Sequence, residues 1–169
     1  MDFVSHGLWG GITFGRKNKR SFWSAFFIGM APDILAFGPF FLFGLLGFSA
    51  RPAFGGGGAH ASLIPSYVYA LYSITHSLVV FAFIFLALWA WKRKPYWELS
   101  AWGLHVLFDI PLHAKTFFPT PFLWPLSSFT INGISWGSPL IFFPNLLVLV
   151  VLYAARFFIK RRRATKTSN

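Results

Sequence analysis

The chain has 169 residues, of which 56% are hydrophobic, 21% aromatic and only 11% charged. A soluble domain carries about 25% charged residues, so the composition excludes an ordinary soluble fold and points to one membrane-embedded domain over 1–163, with 164–169 a disordered cytoplasmic tail. The formal charge of +11 does not indicate nucleic acid, because most Lys and Arg fall in three clusters that each abut an apolar run, which is the positive-inside pattern. With no cysteine, disulfides and thiolate zinc sites are excluded.

In chain order, residues 1–15 are apolar but too short to cross a bilayer, and predict a half-membrane or interfacial segment tucked against the rest. They show no basic n-region and no small-residue cleavage site, so no signal peptide is expected. The first basic cluster, Arg16-Lys17-Lys19-Arg20, follows. Four stretches then reach the ~20 apolar residues a membrane helix needs. They are Phe22 to Phe48, interrupted at Ala31-Pro32-Asp33; Tyr67 to Trp91; about Tyr96 to Phe117; and about Pro139 to Ile159. Between the first two lies Phe54-Gly55-Gly56-Gly57-Gly58, which lacks the Lys-Ser/Thr of a phosphate-binding loop and reads as a linker. Nearby His60 reads as solvated. Lys92-Arg93-Lys94 separates the second and third spans. Phe118 to Pro125 is too rich in proline to be helical throughout, and its aromatics suit the outer interface. Lys160-Arg161-Arg162-Arg163 with Lys166 closes the chain. Threading the spans alternately puts all three clusters on one side. The expected fold is therefore all-α, a bundle of four transmembrane helices with the C-terminus cytoplasmic.

There are only four acids, Asp2, Asp33, Glu98 and Asp109. Asp2 and Glu98 fall where water or a helix terminus can serve them. Asp33 and Asp109 fall inside predicted spans, where a charge costs about 2.5 to 3.5 kcal/mol even on the lenient insertion scale. His6, His76 and His105 also sit in apolar stretches. Counting helical residues from the flanking basic clusters puts His6 about 15 Å deep, His105 about 16 Å, Asp33 about 20 Å, Asp109 about 22 Å and His76 about 24 Å. Five metal-ligating side chains from four segments thus share one thin slab, and helix bundles build metal sites from facing helices in this way. His105 and Asp109, at i and i+4, share a helix face. A divalent cation would neutralise the aspartates, and the nitrogen/oxygen donor set suits zinc, with manganese or iron as alternatives.

Plainer readings exist for each residue. A buried histidine can be merely hydrogen-bonded, Pro32-Asp33 can cap a broken helix, and His105 with Asp109 can be a simple polar pair. His113, about 29 Å deep, either joins the site or lines its mouth. Ser77 does not share a helix face with neighbouring His76 and makes a poor nucleophile. Tyr72, one turn before His76, can donate a hydrogen bond to an oxyanion or to a metal-bound water. Intramembrane Asp and His also mark proton or cation conduits, although four spans without a repeat speak against a secondary transporter. A non-enzymatic membrane scaffold would leave the histidines scattered.

Ser5-His6-Gly7, Ala31-Pro32-Asp33, Thr75-His76-Ser77 and His105-Val106-Leu107-Phe108-Asp109, in that order, resemble the bacterial membrane-bound metal-dependent hydrolase family, some of whose members are annotated LexA-regulated. The resemblance covers about residues 3–145. The family is similar in ligand order to zinc-dependent phospholipase C, which implies metal-assisted hydrolysis of a lipid or phosphate ester in the bacterial inner membrane. It implies His6, Asp33, His76, His105 and Asp109 as ligands of one or two ions, with Asp33 or Asp109 as ligand or general base. Tyr72 and Ser73 depart from a His-Arg found there in many members. That removes one expected ligand for a second metal and an arginine suited to bidentate phosphate contact.

Overall fold

The computed structural model describes residues 1–48, 64–116 and 118–167, with side chains described up to residue 162. The Gly-rich stretch 54–58 and His60 lie outside the described residues. Among the described residues all regular structure is helical, as expected, in six α-helices and one 3-10 turn.

Helix α1, Phe3–Thr13, is the predicted short N-terminal segment. Its eleven residues reach about 16 Å, roughly half a bilayer core. Asp2 caps it by accepting from the Ser5 amide at 2.9 Å and the Ser5 hydroxyl at 2.6 Å. Helix α2, Lys19–Leu45, runs back antiparallel to α1 and starts at Asn18, whose side chain accepts from the Ser21 amide at 2.8 Å. Glycines let the two backbones touch: a Cβ on Gly29 of α2 would lie 2.6 Å from the His6 carbonyl oxygen of α1. The interruption expected at Pro32 does not occur, and α2 is continuous through Pro32 and Pro39. Proline is tolerated inside buried membrane helices where neighbours satisfy the backbone groups it frees, so Asp33 is not a helix cap.

The second predicted span is broken. Helix α3, Ser66–Thr75, and helix α4, Leu78–Lys92, meet at a 53° bend over His76-Ser77. No proline causes this. Ser77 instead caps α4, its hydroxyl oxygen accepting from the Val79 and Val80 amides at 3.1 Å each. The Leu78 amide donates out of the helix to the Phe122 carbonyl at 2.9 Å, and the Trp102 indole donates to the Thr75 carbonyl at 2.6 Å.

The third predicted span is shorter than expected. A 3-10 turn over Trp97–Leu99 leads into helix α5, Ser100–Leu112, which at thirteen residues reaches only about 20 Å. The chain then turns extended at His113. The open carbonyls of Pro111, Leu112 and His113 accept from the Ile134, Trp136 and Gly133 amides at 2.9, 3.0 and 2.9 Å. The irregular 118–137 segment, non-helical as its prolines predict, thus replaces the last helical turns with its own backbone. Among the described residues two helices are long and apolar enough to span, or three if the bent pair counts as one, rather than four.

Glu98, expected near the solvated surface, is 5% exposed. It accepts from the Ser21 hydroxyl at 2.6 Å, with the Lys17 ammonium 3.8 Å away, and so ties the start of α2 to the turn before α5. Burial opposes its ionisation, but the Ser21 hydroxyl, its own backbone amide and Lys17 outweigh this and lower its pKa. A lowered pKa stabilises the fold above the unfolded carboxyl range and loses that contribution as pH falls through the folded value. Glu98→Gln is therefore expected to cost about 1–2 kcal/mol at pH 7. The difference from wild type should close as thermal unfolding in detergent is repeated toward pH 3.

Helix α6, Pro139–Thr167, carries helical backbone into the tail expected to be disordered. Within its spanning part, Pro139–Arg162, Leu149 alone is buried. Polar tethers hold it to α1: the Trp9 indole donates to Asn145 at 2.8 Å, the Asn145 amide to the Ser5 hydroxyl at 3.0 Å, and the Tyr153 hydroxyl to the Leu8 carbonyl at 2.8 Å. Nearer its C-terminal end the Arg156 guanidinium donates to the Gly15 carbonyl at 3.0 Å.

Candidate metal centre

Three elements converge on one point. From α5 come His105 and Asp109, on the face that also buries Ala101 and Val106. From the middle of α2 comes Asp33, and from the bend between α3 and α4 comes His76. The His76 Nε2 lies 3.0 Å from His105 Nε2, 3.3 Å from Asp33 Oδ1 and 3.6 Å from Asp109 Oδ2. The His105 Nε2 lies 3.2 Å from Asp109 Oδ2 and 3.8 Å from Asp33 Oδ1. One ligand atom from each of the four lies within 4.8 Å of every other, so the cluster can hold a metal ion.

The hydrogen-bond network is compatible with a cation at this point. The His105 Nδ1 donates to the Gly29 carbonyl at 2.7 Å. The His76 Nδ1 lies 3.0 Å from the Thr75 hydroxyl, and when that hydroxyl gives its proton to the Tyr72 carbonyl, 3.4 Å away, Nδ1 is the donor. A neutral imidazole whose Nδ1 is the donor presents a lone pair at Nε2. Two such lone pairs then face each other and two carboxylate oxygens, all in a buried place, and Asp109 Oδ2 has no hydrogen-bond partner. Buried polar atoms are rarely left so. Ligand bonds of about 2.0–2.1 Å in a tetrahedral shell put neighbouring donors about 3.3–3.4 Å apart, which the spacings above bracket. Donation of Nδ1–H to a backbone or hydroxyl oxygen is also how metal-ligating histidines are commonly oriented.

The other expected residues pack around the four donors. The His6 Nε2 donates to Asp109 Oδ1 at 2.9 Å, and its ring stacks on His105 with centroids 3.6 Å apart, leaving His6 Nδ1 buried without a partner. The His113 Nδ1 donates to the Phe118 carbonyl at 2.8 Å, and its Nε2 lies 3.6 Å from Asp109 Oδ1. Tyr72 stacks on His76 with centroids 3.8 Å apart, and its hydroxyl donates to the Phe118 carbonyl at 3.0 Å and lies 3.0 Å from His113 Nδ1. Its hydroxyl is thus engaged by Phe118 and His113. Asp2 caps α1 and stays outside the cluster.

Some contributors were not foreseen. The Gly29 carbonyl and the Thr75 hydroxyl orient the two imidazoles, and the Met1 amino nitrogen lies 2.6 Å from Asp109 Oδ1. Thr75 carried a signal in its place beside His76, but a backbone carbonyl carries none. No protein-family model, curated protein or solved structure matches the chain.

Proposed function

We propose that the chain is an integral membrane hydrolase of the bacterial inner membrane, C-terminus in the cytoplasm, using a divalent cation, best matched by zinc, to cleave a lipid or phosphate ester. The observation that carries this reading is the meeting of Asp33, His76, His105 and Asp109 with both imidazole Nε2 atoms turned inward. The ordered motifs resembling the membrane-bound metal-dependent hydrolases support it further. The basic clusters supply the orientation; on this reading α5 and the extended backbone after it complete the remaining crossing.

A bound divalent cation supplies a water whose pKa falls toward ~7 and polarises the scissile ester. The protein's own groups divide the remaining work. Asp109, enclosed and held through Oδ1 by His6, stays in place as a ligand. Asp33 alone of the four keeps an exposed edge, so it is the carboxylate placed to take a proton from an attacking water. Tyr72 buttresses the His76 ring rather than donating to an oxyanion. His113 and Lys115 lie toward the outer face, where an anionic head group can meet them.

A conduit would string polar groups across the membrane; here they gather in one knot, which favours hydrolysis. The test is a panel of lipid carboxylate and phosphate esters assayed with metal-loaded and chelator-stripped protein. Cleavage of at least one ester that is lost on stripping and regained with zinc is expected. Cleavage unchanged by stripping would contradict the reading.

A further inference from the structure

The four donors are unequally enclosed. The side chains of His76, His105 and Asp109 have no exposed surface, whereas that of Asp33 is 15% exposed. A cation held by four protein donors is closed in the manner of a structural site, and a catalytic site needs an open position. The open edge therefore lies at Asp33.

Among the described residues the other end of the bundle offers no comparable opening. Tyr72, Phe118 and Thr120 are buried there, and the Tyr72 hydroxyl and His113 Nδ1 both bond the Phe118 carbonyl. A small cleft lined by Leu112, Ala114, Thr116, Ser135 and Trp136 ends on His113, which stands between it and Asp109. Asp33 itself turns inward, on the face where Met30 and Ala36 are buried, but the flank of α2 beside it carries Ile34, exposed by 47%, on a helix long and apolar enough to cross a membrane. In a bilayer, hydrocarbon would lie against that flank.

Resting on the metal-hydrolase reading, we infer that the site is entered sideways from the bilayer past Asp33. Its substrate is then an ester dissolved in the membrane by its own apolar chains, not a water-soluble one. Asp33 lies about 20 Å from the first basic cluster along α2, in the outer half of a core about 30 Å thick, so the lipid comes from the outer leaflet.

The test compares two chelators with the same binding unit on zinc-loaded protein in lipid nanodiscs, where both aqueous faces are open. One is 1,10-phenanthroline, which partitions into lipid; the other is bathophenanthroline disulfonate, which lipid excludes. Zinc is expected to leave at least tenfold faster to phenanthroline. Ile34→Trp, which touches no ligand, should slow that loss several-fold without changing the zinc bound at the start. Equal rates for the two chelators, or an Ile34→Trp protein stripped as fast as wild type, would overturn lateral entry while leaving the metal site standing. Protein that holds no zinc before either chelator is added would overturn the parent reading, and this inference with it.

Discussion

His105→Ala protein, purified without chelators, is expected to bind zinc on the order of a hundredfold or more weaker than wild type, and to lose any metal-dependent hydrolysis. His105 supplies one of two imidazole donors and sits within 3.2 Å of Asp109 Oδ2 and 3.0 Å of His76 Nε2, so its loss opens the shell and leaves two aspartates uncompensated. Asp109→Asn should do the same while keeping the side chain's volume. The informative contrast is Thr75→Val. It keeps all four donors and removes only the hydroxyl that accepts from His76 Nδ1. Loss of such an outer partner costs about 10–100-fold in metal affinity. Zinc titration of the three variants by calorimetry should therefore rank them with Thr75→Val between wild type and the two ligand variants. Equal affinity in all four proteins would mean that the donors do not act together on a cation.

The second large effect is expected at Gly29. Adding a single methyl there places a carbon 2.6 Å from the His6 carbonyl oxygen and 3.4 Å from the Gly7 Cα. Both atoms are backbone and cannot swing aside, so α1 must move away from α2. Overpacking of this kind costs about 1–3 kcal/mol, and we expect Gly29→Ala at the upper end. The consequence reaches the site by two routes. The Gly29 carbonyl fixes His105, and His6, carried by the displaced α1, braces Asp109. Thermal unfolding in detergent should show a clear fall in midpoint, and zinc affinity should fall with it although no ligand has changed. Gly38→Ala, where an added Cβ meets only the Ile34 side chain at 3.7 Å, is the matched control and should be near neutral.

Much of the site could be read from residue type and depth. Asp33 and Asp109 stand out because carboxylates are scarce and costly in such a chain, and His105 pairs with Asp109 through helical spacing alone. His76 follows from its depth. Spacing could not separate the donors on Asp109 Oδ2 from the groups on Oδ1. That division depends on which way one carboxylate is rotated between α1 and α5, and it places His6 and His113 beside the four-donor cluster rather than in it.

The fold was less legible, for a physical reason. Apolarity reports what a segment can dissolve in, not where its helix stops. Tyr67 to Trp91 is apolar enough for one straight span, yet Ser77 caps a new helix within it and Phe122 takes the Leu78 amide. Thr75-His76-Ser77 did contain an N-cap residue, a local signal that the hydrophobic run obscured. The early end of α5 had a partial signal in Pro111, which lacks an amide to continue the helix. Its other cause, the pairing of Gly133, Ile134 and Trp136 with the α5 carbonyls, joins residues about twenty apart. Pro32 misled in the opposite sense, since close packing of α1 and α5 on α2 keeps that helix whole.

The most direct measurement is the metal content of wild-type protein, purified in detergent without chelators and analysed by plasma mass spectrometry against protein concentration. The account predicts one or two equivalents of a divalent metal, zinc foremost, that resist gel filtration. Less than a tenth of an equivalent of any divalent metal, and no uptake when zinc is supplied, would contradict it.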